Sequence, residues 1–572
     1  MVTLGRLQES LDVITCLQLT SFLFPPQATV YDGAKYDFVI VGGGTAGCII
    51  ANRLTENKSI NVLLIEAGED PPIQSIFPSL KDYLRKSRYD WNGYAENDDY
   101  TEQCTTNKAQ ALIRGKMLGG SSSINSMIYT RGFSDDYKHW AKIANNSGWD
   151  WDAVYGYFKR SEKIIDPIIL NSPDRDYHGT TGYLKTKRYY SKETFEFFES
   201  FQELGNDIVL DITKNDTLGV SQPIFTVDDF GRQSTAYSFL TPILNRTNLH
   251  VLKGTTATQI LINSNNKAYG VEVITRCGET YNIFAEREVI VSAGTINSAH
   301  LLMLSGIGPR EHLESHGIDV ISDLPVGYKF QNQLSVILTY KTGKARKSSP
   351  SDPRQITTPT IIGFIALNEN QNFADYEIYC NVFPNADNFQ SFCRINSEFD
   401  CNICNKLYSA VKNNSIFYVT ITLLQPNSRG RVYLRSPNPT DTPLVRTGYY
   451  SGKNDVERHI KFIRHFRSIE NTTYFRKINA KIVDPTECNE FERDSDDYWR
   501  CYLLCLMVPD HHYSGTCAMG SVVDYRLRVY NVRSLRIADA SVIPRLIRGH
   551  SYAPTMMIAE KVSDMIKEDH QI

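Results

Sequence analysis

The chain has 572 residues and a mass of 65.0 kDa, which is too long for a single ordinary hydrophobic core. Its 61 Lys and Arg residues nearly balance 64 Asp and Glu residues without any basic block, which argues against a nucleic-acid partner. Apolar residues at 41% are typical of a globular protein, and no apolar run reaches the roughly 18 residues of a membrane-spanning helix, so no integral membrane segment is expected.

The N-terminal segment, residues 1–35, is predicted to be a signal peptide and leader. Residues 13–24 are mostly apolar and follow a single Arg6, a layout that is typical of a secretory signal. Glu9 and Asp12 fit this prediction poorly, so a buried N-terminal helix remains the alternative. We expect a secreted protein, and Asn-x-Ser/Thr sequons along the chain would then permit glycosylation.

The chain has 12 cysteines, and several of them in the last third could pair with one another. These are Cys380, Cys393, Cys401, Cys404, Cys488, Cys501 and Cys505. Disulfides and an oxidising compartment are therefore favoured. Cys401-x-x-Cys404 also matches half of a zinc site, but no histidine cluster or second pair follows at ligand spacing, so no metal site is predicted.

The first elements after the leader predict a nucleotide-binding half-fold. Residues 36–41 form a β-branched run typical of a strand, residues 46–54 predict a helix, and residues 61–65 predict a second strand. A strand, turn, helix and parallel strand within about thirty residues have the size of a βαβ unit.

The turn after the first strand satisfies the pattern G-x-G-x-x-G. It reads Gly42-Gly43-Gly44-Thr45-Ala46-Gly47. The first glycine makes the turn, the second lets the backbone approach a pyrophosphate, and the third lets helix and strand pack closely. Phosphates would lie at the helix N-terminus, and Glu66, about twenty residues on, would hold a ribose hydroxyl. The pattern predicts a dinucleotide site without separating flavin from nicotinamide, and a glycine turn without a ligand is the alternative.

The later elements divide the remaining chain into further regions. Residues 36–332 are assigned mainly to the nucleotide domain, with inserted substrate-domain segments. The pattern there predicts strands at 251–252, 258–262, 268–275 and 288–292 and a helix at 298–304. Residues 333–509 are rich in Thr, Tyr and Phe, which predicts an antiparallel sheet covered by helices. Residues 510–572 are assigned to the first domain again, because they contain a predicted strand at 536–540 and a closing helix at 554–567.

A second glycine motif separates flavin from nicotinamide. Residues 115–125 place Gly119, Gly120, Ser121 and Asn125 where a chain runs flush against a flat ligand. Here the sequence resembles the glucose-methanol-choline (GMC) family of FAD enzymes, and its leader looks like that of the insect members, which are usually secreted. Further matching segments follow in order at 294–308, 515–520, 536–544 and 553–555, so the resemblance runs from residue 36 to the C-terminus.

The resemblance implies a fold, a cofactor and cofactor contacts. The fold is an α/β FAD-binding domain of Rossmann type with an α+β substrate domain over the flavin face. Glu66 would contact the adenosine ribose, Ala257 the adenine, and Asp539 and Ala540 the region of the ribityl chain and pyrophosphate. Some relatives attach FAD covalently through a histidine; the matching position here is Ile124, so non-covalent FAD is expected.

The candidate catalytic residues lie near the C-terminus. His512 aligns with the family's catalytic histidine, and an imidazole suits the acceptor of a hydroxyl proton. Oxidising relatives place Asn or a second His two residues before the Pro of the closing helix, where this chain has Tyr552; His550 is the nearby substitute. A second departure lies in a motif that relatives commonly write as Gly-x-Asn-Leu-x-Asp-His. In this chain the Asp and His positions of that motif hold the amides Asn332 and Gln333.

Two enzymatic functions follow. The favoured one is FAD-dependent oxidation of the CH–OH group of a small hydroxylated substrate, with His512 as base and flavin N5 as hydride acceptor. The alternative, suggested by Tyr552, is a non-redox hydroxynitrile lyase that uses His512 as base and FAD as a structural cofactor. A flavoprotein that only binds ligands is a third possibility. The sequence leaves open the substrate, the choice of oxygen or quinone as second acceptor, and the oligomeric state.

Overall fold

The computed structural model of the protein describes residues 22–347, 352–356, 358–387 and 389–572. Most of the predicted signal peptide therefore lies outside the described residues. Within the predicted leader, the amide of Ala28 donates a hydrogen bond to the carbonyl of Val251 at 2.9 Å. The segment around Gln27 and Ala28 therefore contacts the strand that contains Val251.

The strands and helices are numbered in chain order. The strands are β1 Lys35–Val41, β2 Val62–Ile65, β3 Gly93–Tyr94, β4 Ala111–Leu112, β5 Glu162–Ile164, β6 Leu184–Arg188, β7 Gly219–Ser221, β8 Ile224–Phe225, β9 Leu249–Leu252, β10 Thr256–Ile262, β11 Ala268–Ile274, β12 Thr280–Val291, β13 Ile307–Gly308, β14 Ser322–Asp323, β15 Leu334–Lys344, β16 Thr360–Ile365, β17 Tyr376–Phe383, β18 Asn414–Leu423, β19 Arg431–Tyr433, β20 Leu444–Arg446, β21 Lys481–Val483, β22 Met507–Pro509 and β23 Leu535–Ile537. The α-helices are α1 Thr45–Leu54, α2 Ile73–Ile76, α3 Ser134–Ala144, α4 Trp151–Ser161, α5 Pro167–Leu170, α6 Phe195–Glu203, α7 Gly294–Leu304, α8 Arg310–Glu314, α9 Phe389–Asn396, α10 Cys401–Val411, α11 Asp455–Arg467, α12 Thr473–Lys477, α13 Asp496–Leu506 and α14 Tyr552–His570.

The cofactor sheet has the order β10-β11-β12-β1-β2-β9, and β23 pairs with β12. Strands β12, β1, β2 and β9 run parallel, and α1 connects β1 to β2. The predicted βαβ unit is confirmed. Helix α7 begins at Gly294, earlier than predicted, because the carboxylate of Asp539 accepts the Gly294 amide hydrogen at 2.9 Å. A C-terminal residue therefore sets the start of a helix that the local sequence does not mark.

The substrate sheet has the order β21-β15-β18-β17-β16-β7, and β22 pairs with β15. All of these pairings are antiparallel, as predicted. Helices α10, α11 and α13 pack on this sheet, which has its own core cluster separate from that of the cofactor sheet. The fold is therefore an α/β cofactor domain of Rossmann type with an α+β substrate domain. The domain boundaries given above remain predictions.

The alternation of side chains along β17 and β18 gives the substrate sheet two different faces. Ile378 and Ile421 point into the core, whereas Glu377, Thr420 and Thr422 line a cavity on the opposite side. Glu377 is the register partner of Thr422 across the two strands. The face away from the core is thus polar and lines the site described below.

The described chain contains one disulfide between residues distant in sequence and two between residues that are close in sequence. The pairs are Cys104–Cys505, Cys393–Cys404 and Cys488–Cys501. The prediction of disulfides is confirmed, although Cys505 pairs outside the C-terminal group, and Cys404 is in a disulfide while Cys401 is an exposed thiol. Within the described ranges, none of the helices has both the length and the apolar character needed to cross a membrane.

Candidate active site

A single cavity brings together most of the residues that the sequence singled out. Those lining it are Gly42, Gly44, Thr45, Ala46, Glu66, Gly120, Ser121, Asn125, Ala257, His512, Asp539, Ala540, His550 and Tyr552. Gly47 and Gly119 support the wall from behind instead. A Cβ on Gly47 would lie 1.9 Å from the carbonyl oxygen of Gly42, and Gly119 donates its amide to the Gly43 carbonyl at 2.7 Å.

The cofactor wall of the cavity is built mainly from backbone. Gly44 precedes α1 without a side-chain cap, so the first amides of the helix are available to a ligand. A Cβ on Gly120 would lie 2.8 Å from the Gly44 Cα, and Gly120 has a φ of +51°. Two backbone segments therefore meet here at a distance that side chains would prevent.

Glu66 lies at the end of β2 and faces the same cavity. Its carboxylate accepts hydrogen bonds from the amides of Gly43 at 2.9 Å and Gly68 at 2.8 Å. Burial raises the pKa of Glu66 to about 7 despite these bonds. Two backbone amides therefore fix the orientation of the Glu66 carboxylate, and its contact with a ribose stays a prediction.

The loop from Asp510 to Ser514 runs antiparallel to the segment that leads into β15. Gln331 and Ser514 exchange backbone hydrogen bonds, each of 3.1 Å. This pairing brings His512 next to two amide side chains. The His512 amide donates to Asn332 Oδ1 at 2.7 Å, and His512 Nδ1 lies 2.5 Å from Gln333 Oε1.

His550 packs edge-to-face on His512. Their ring centroids are 4.7 Å apart with an interplanar angle of 72°. The amide of His550 donates to Thr130 Oγ1 at 2.8 Å, and its Nε2 lies 2.9 Å from Glu377 Oε1 on the substrate sheet. The two imidazoles therefore lie side by side, each held by a different partner.

The two imidazoles experience opposite electrostatic environments. Burial lowers the pKa of His512 well below its ordinary value, and the neighbouring His550 and His511 lower it further. Burial also opposes the charged form of His550, but the charge and hydrogen bond of Glu377 outweigh it and raise the pKa of His550. The geometry thus pairs a neutral imidazole with one that favours the protonated form.

Tyr552 does not take the place beside His512 that the sequence suggested for it. It is the first residue of α14, and its hydroxyl donates to the carbonyl of Gln233 at 3.2 Å. Burial raises the pKa of the phenol far above its usual range, so the hydroxyl keeps its proton. The substitute considered in the sequence, His550, is the residue that contacts His512.

Comparisons with known proteins identify the family. Two models, both described as GMC oxidoreductase, match residues 36–335 and 426–559. The chain belongs to the GMC oxidoreductase family. It is 36% identical to the ecdysone oxidase of Bombyx mori over 96% of this chain and 84% of that protein. It is 32% identical to a glucose dehydrogenase [FAD, quinone] of Drosophila melanogaster over 93% of this chain and 87% of that protein.

Solved structures of other GMC enzymes have the same fold. A formate oxidase of Aspergillus oryzae superposes with a TM-score of 0.82 and 26% identity, covering 95% of this chain and 100% of that chain. A pyridoxine 4-oxidase from Mesorbium loti gives a TM-score of 0.79 and 25% identity, with 93% and 99% covered. The cofactor of this GMC chain is FAD. The uncapped α1 terminus, the glycine contact and Glu66 form a wall that fits a dinucleotide.

Several cavity residues on the substrate sheet were not found from the sequence. They are Glu377, Tyr379, Thr420 and Thr422. The signal was present in Val-Thr-Ile-Thr-Leu at 419–423, where the polar residues recur with the period of a strand. Asp510 also lines the cavity, and burial together with the charge of Glu377 raises its pKa to about 6.

Proposed function

We propose that this GMC oxidoreductase oxidises the carbinol of a small hydroxylated molecule, with His512 as the base. The observation that carries the proposal is the contact between two imidazoles whose pKa values shift in opposite directions. Neighbouring titratable groups with diverging pKa values are the usual arrangement for an acid and a base in one site.

His512 is suited to accept the hydroxyl proton. Its pKa is lowered, so the imidazole is neutral and able to take a proton at pH 7. Its Nδ1 is occupied by Gln333, which leaves Nε2 as the atom available to a substrate in the cavity. Bound FAD supplies the hydride acceptor for the carbon of the same carbinol.

His550 complements the base. Glu377 favours its protonated form, and an imidazolium donates a charge-assisted hydrogen bond to an oxygen that is losing its proton. His512 would then remove the proton while His550 stabilises the negative charge that develops on the substrate oxygen.

The substrate is proposed by class only. The named relatives act on ecdysone and glucose, which both carry several hydroxyl groups. The polar face formed by Glu377, Thr420 and Thr422 offers hydrogen-bond partners to such a molecule. We therefore propose a polyhydroxylated alcohol, with ecdysone and glucose as the first probes.

No observation favours the lyase alternative. It depended on the replacement of the usual second Asn or His by Tyr552, whereas His550 provides an imidazole next to His512. We further propose that the protein is secreted, which the disulfides support because they persist in oxidising compartments.

Anaerobic mixing of the FAD-loaded protein with ecdysone, glucose and simple alcohols tests the oxidation. At least one alcohol is expected to bleach the oxidised flavin absorbance. His512→Gln should slow bleaching by about 10²- to 10⁴-fold because the base is lost. His139→Gln, a surface substitution, is the control. A flavin that no alcohol reduces, while a cyanohydrin releases HCN, would contradict the proposal.

A further inference from the structure

We propose that Gln333 fixes the proton of the His512 side chain on Nδ1, so that Nε2 always presents its lone pair to the cavity. This inference rests on the proposed role of His512 as base. Gln333 is then a positioning residue, because it acts on the reaction only through the imidazole.

The backbone brings Gln333 to this place. Gln333 directly precedes β15, and β15 pairs antiparallel with β22, which leads into the His512 loop. The amide of Asp510 points to the carbonyl of Gln333 at 3.4 Å. The side chain of Gln333 therefore projects beside the His512 ring and is fully enclosed, with 1% of its surface exposed.

Two backbone carbonyls determine which way round the Gln333 amide lies. Its Nε2 donates to the carbonyl of Leu424 at 3.2 Å and to that of Ile547 at 2.9 Å. Both N–H bonds are therefore used. The remaining atom, Oε1, faces His512 Nδ1.

The reversed amide would be strongly unfavourable. Oε1 would then face the carbonyl oxygens of Leu424 and Ile547, so three buried acceptors would meet without a hydrogen between them. Buried acceptors without a donor are strongly destabilising, because they lose their hydrogen bonds to water and gain none in the protein. The amide is thus held as an acceptor toward His512, and only a protonated Nδ1 can satisfy it.

The amide differs in kind from the histidine that relatives commonly carry at this position. A histidine can donate or accept and can change its charge, so it permits either tautomer of its neighbour. Gln333 has no titratable proton, and its Oε1 accepts a hydrogen bond only from the Nδ1 side of the His512 ring. The lowered pKa of His512 agrees with an uncharged partner. The substitution therefore specifies the tautomer of the base rather than removing a function.

The tautomer of His512 is measurable without any substrate. We would record ¹⁵N spectra of histidine-labelled, FAD-loaded protein and assign His512 by comparison with His512→Gln. The expected result is a protonated Nδ1 and a bare Nε2 in the unmodified protein. A proton on Nε2 would overturn the inference even if His512 proved to be the base.

Two matched variants extend the test to the reaction. Gln333→Met removes the acceptor, and Gln331→Met removes a buried amide two residues earlier that binds Ile543 and Leu546 instead of His512. Gln333→Met should populate both tautomers and slow flavin reduction about 10- to 100-fold, whereas Gln331→Met should lose stability without losing rate. Equal rates and an unchanged His512 tautomer in both variants would overturn the inference.

A third variant covers the case in which Gln333→Met does not fold. Gln333→His restores the residue of the relatives, which titrates. It should add an ionisation to the pH profile of flavin reduction that the unmodified protein lacks. An unaltered profile would count against Gln333 as the group that sets the state of the base. If no alcohol reduces the flavin, the proposed function fails while the ¹⁵N result still decides this inference.

Discussion

The two walls of the active-site cavity recognise their ligands by different means. The cofactor wall uses backbone amides and close glycine contacts around α1, so a few glycines at fixed spacing build it. The substrate wall uses single side chains, such as Glu377 and Thr422, that project from an antiparallel sheet. A backbone wall tolerates little change in sequence, whereas a side-chain wall changes its chemistry with each substitution.

The largest expected effect comes from disturbing the backbone wall. Gly47→Ala would place a Cβ 1.9 Å from the Gly42 carbonyl oxygen, and neither backbone can move easily. We expect loss of bound FAD and a free energy of unfolding lowered by about 3 kcal/mol or more. Gly156→Ala is the control, since a Cβ there meets no atom within 4 Å. Flavin absorbance measures the bound FAD of each variant, and urea unfolding measures its stability. Retention of FAD by Gly47→Ala would show that the close contact of Gly47 with Gly42 is not needed for cofactor binding.

The next effect tests a disulfide of the substrate domain, whose Cys104 packs against the core of the substrate sheet. The disulfide Cys104–Cys505 ties the loop between β3 and β4 to helix α13 beside the substrate sheet. The double substitution Cys104→Ser and Cys505→Ser should lower the free energy of unfolding by about 2–5 kcal/mol, because the unfolded chain gains freedom. Cys277→Ser, at an exposed thiol, should change it little. If the double variant were as stable as the unmodified protein, the Cys104–Cys505 disulfide would not stabilise the fold.

A smaller effect is expected from the substrate wall. Glu377 raises the pKa of His550, so in Glu377→Gln the imidazolium loses its proton at lower pH. The alkaline limb of flavin reduction should move to lower pH, and the rate at pH 7 should fall by about 10-fold. Glu457→Gln on the surface is the control. An alkaline limb that stays in place would exclude His550 as the charged partner.

The smallest effect separates the two candidate partners of His512. Tyr552→Phe removes one hydrogen bond to Gln233 and should lower the free energy of unfolding by about 1 kcal/mol, with nearly unchanged flavin reduction. His550→Gln should instead reduce the rate of flavin reduction, because it removes the imidazole that contacts His512. If Tyr552→Phe were the slower of the two enzymes, the assignment would have to be reversed.

The same contrast explains how much of the molecule could be predicted from sequence. The βαβ unit, Glu66 at the end of β2 and the antiparallel substrate sheet follow from local patterns and spacing. The contact between His550 and Glu377 joins residues 173 positions apart, and no local pattern encodes it. Asn332 and Gln333 were visible as departures from the family, but their meaning depends on the carbonyls that surround them.

We expect His512 to be uncharged, and His550 to keep its second proton to higher pH than His512 does, in the FAD-loaded protein. Histidine ¹⁵N spectra recorded through a pH titration, and assigned with His512→Gln and His550→Gln, follow the protons on both rings. His512 should carry one protonated nitrogen at pH 7, and His550 should lose its second proton at a higher pH than His512 does. A charged His512 at pH 7, or loss of the second proton from His550 at a lower pH than from His512, would rule out this pair of a neutral base and a charged partner.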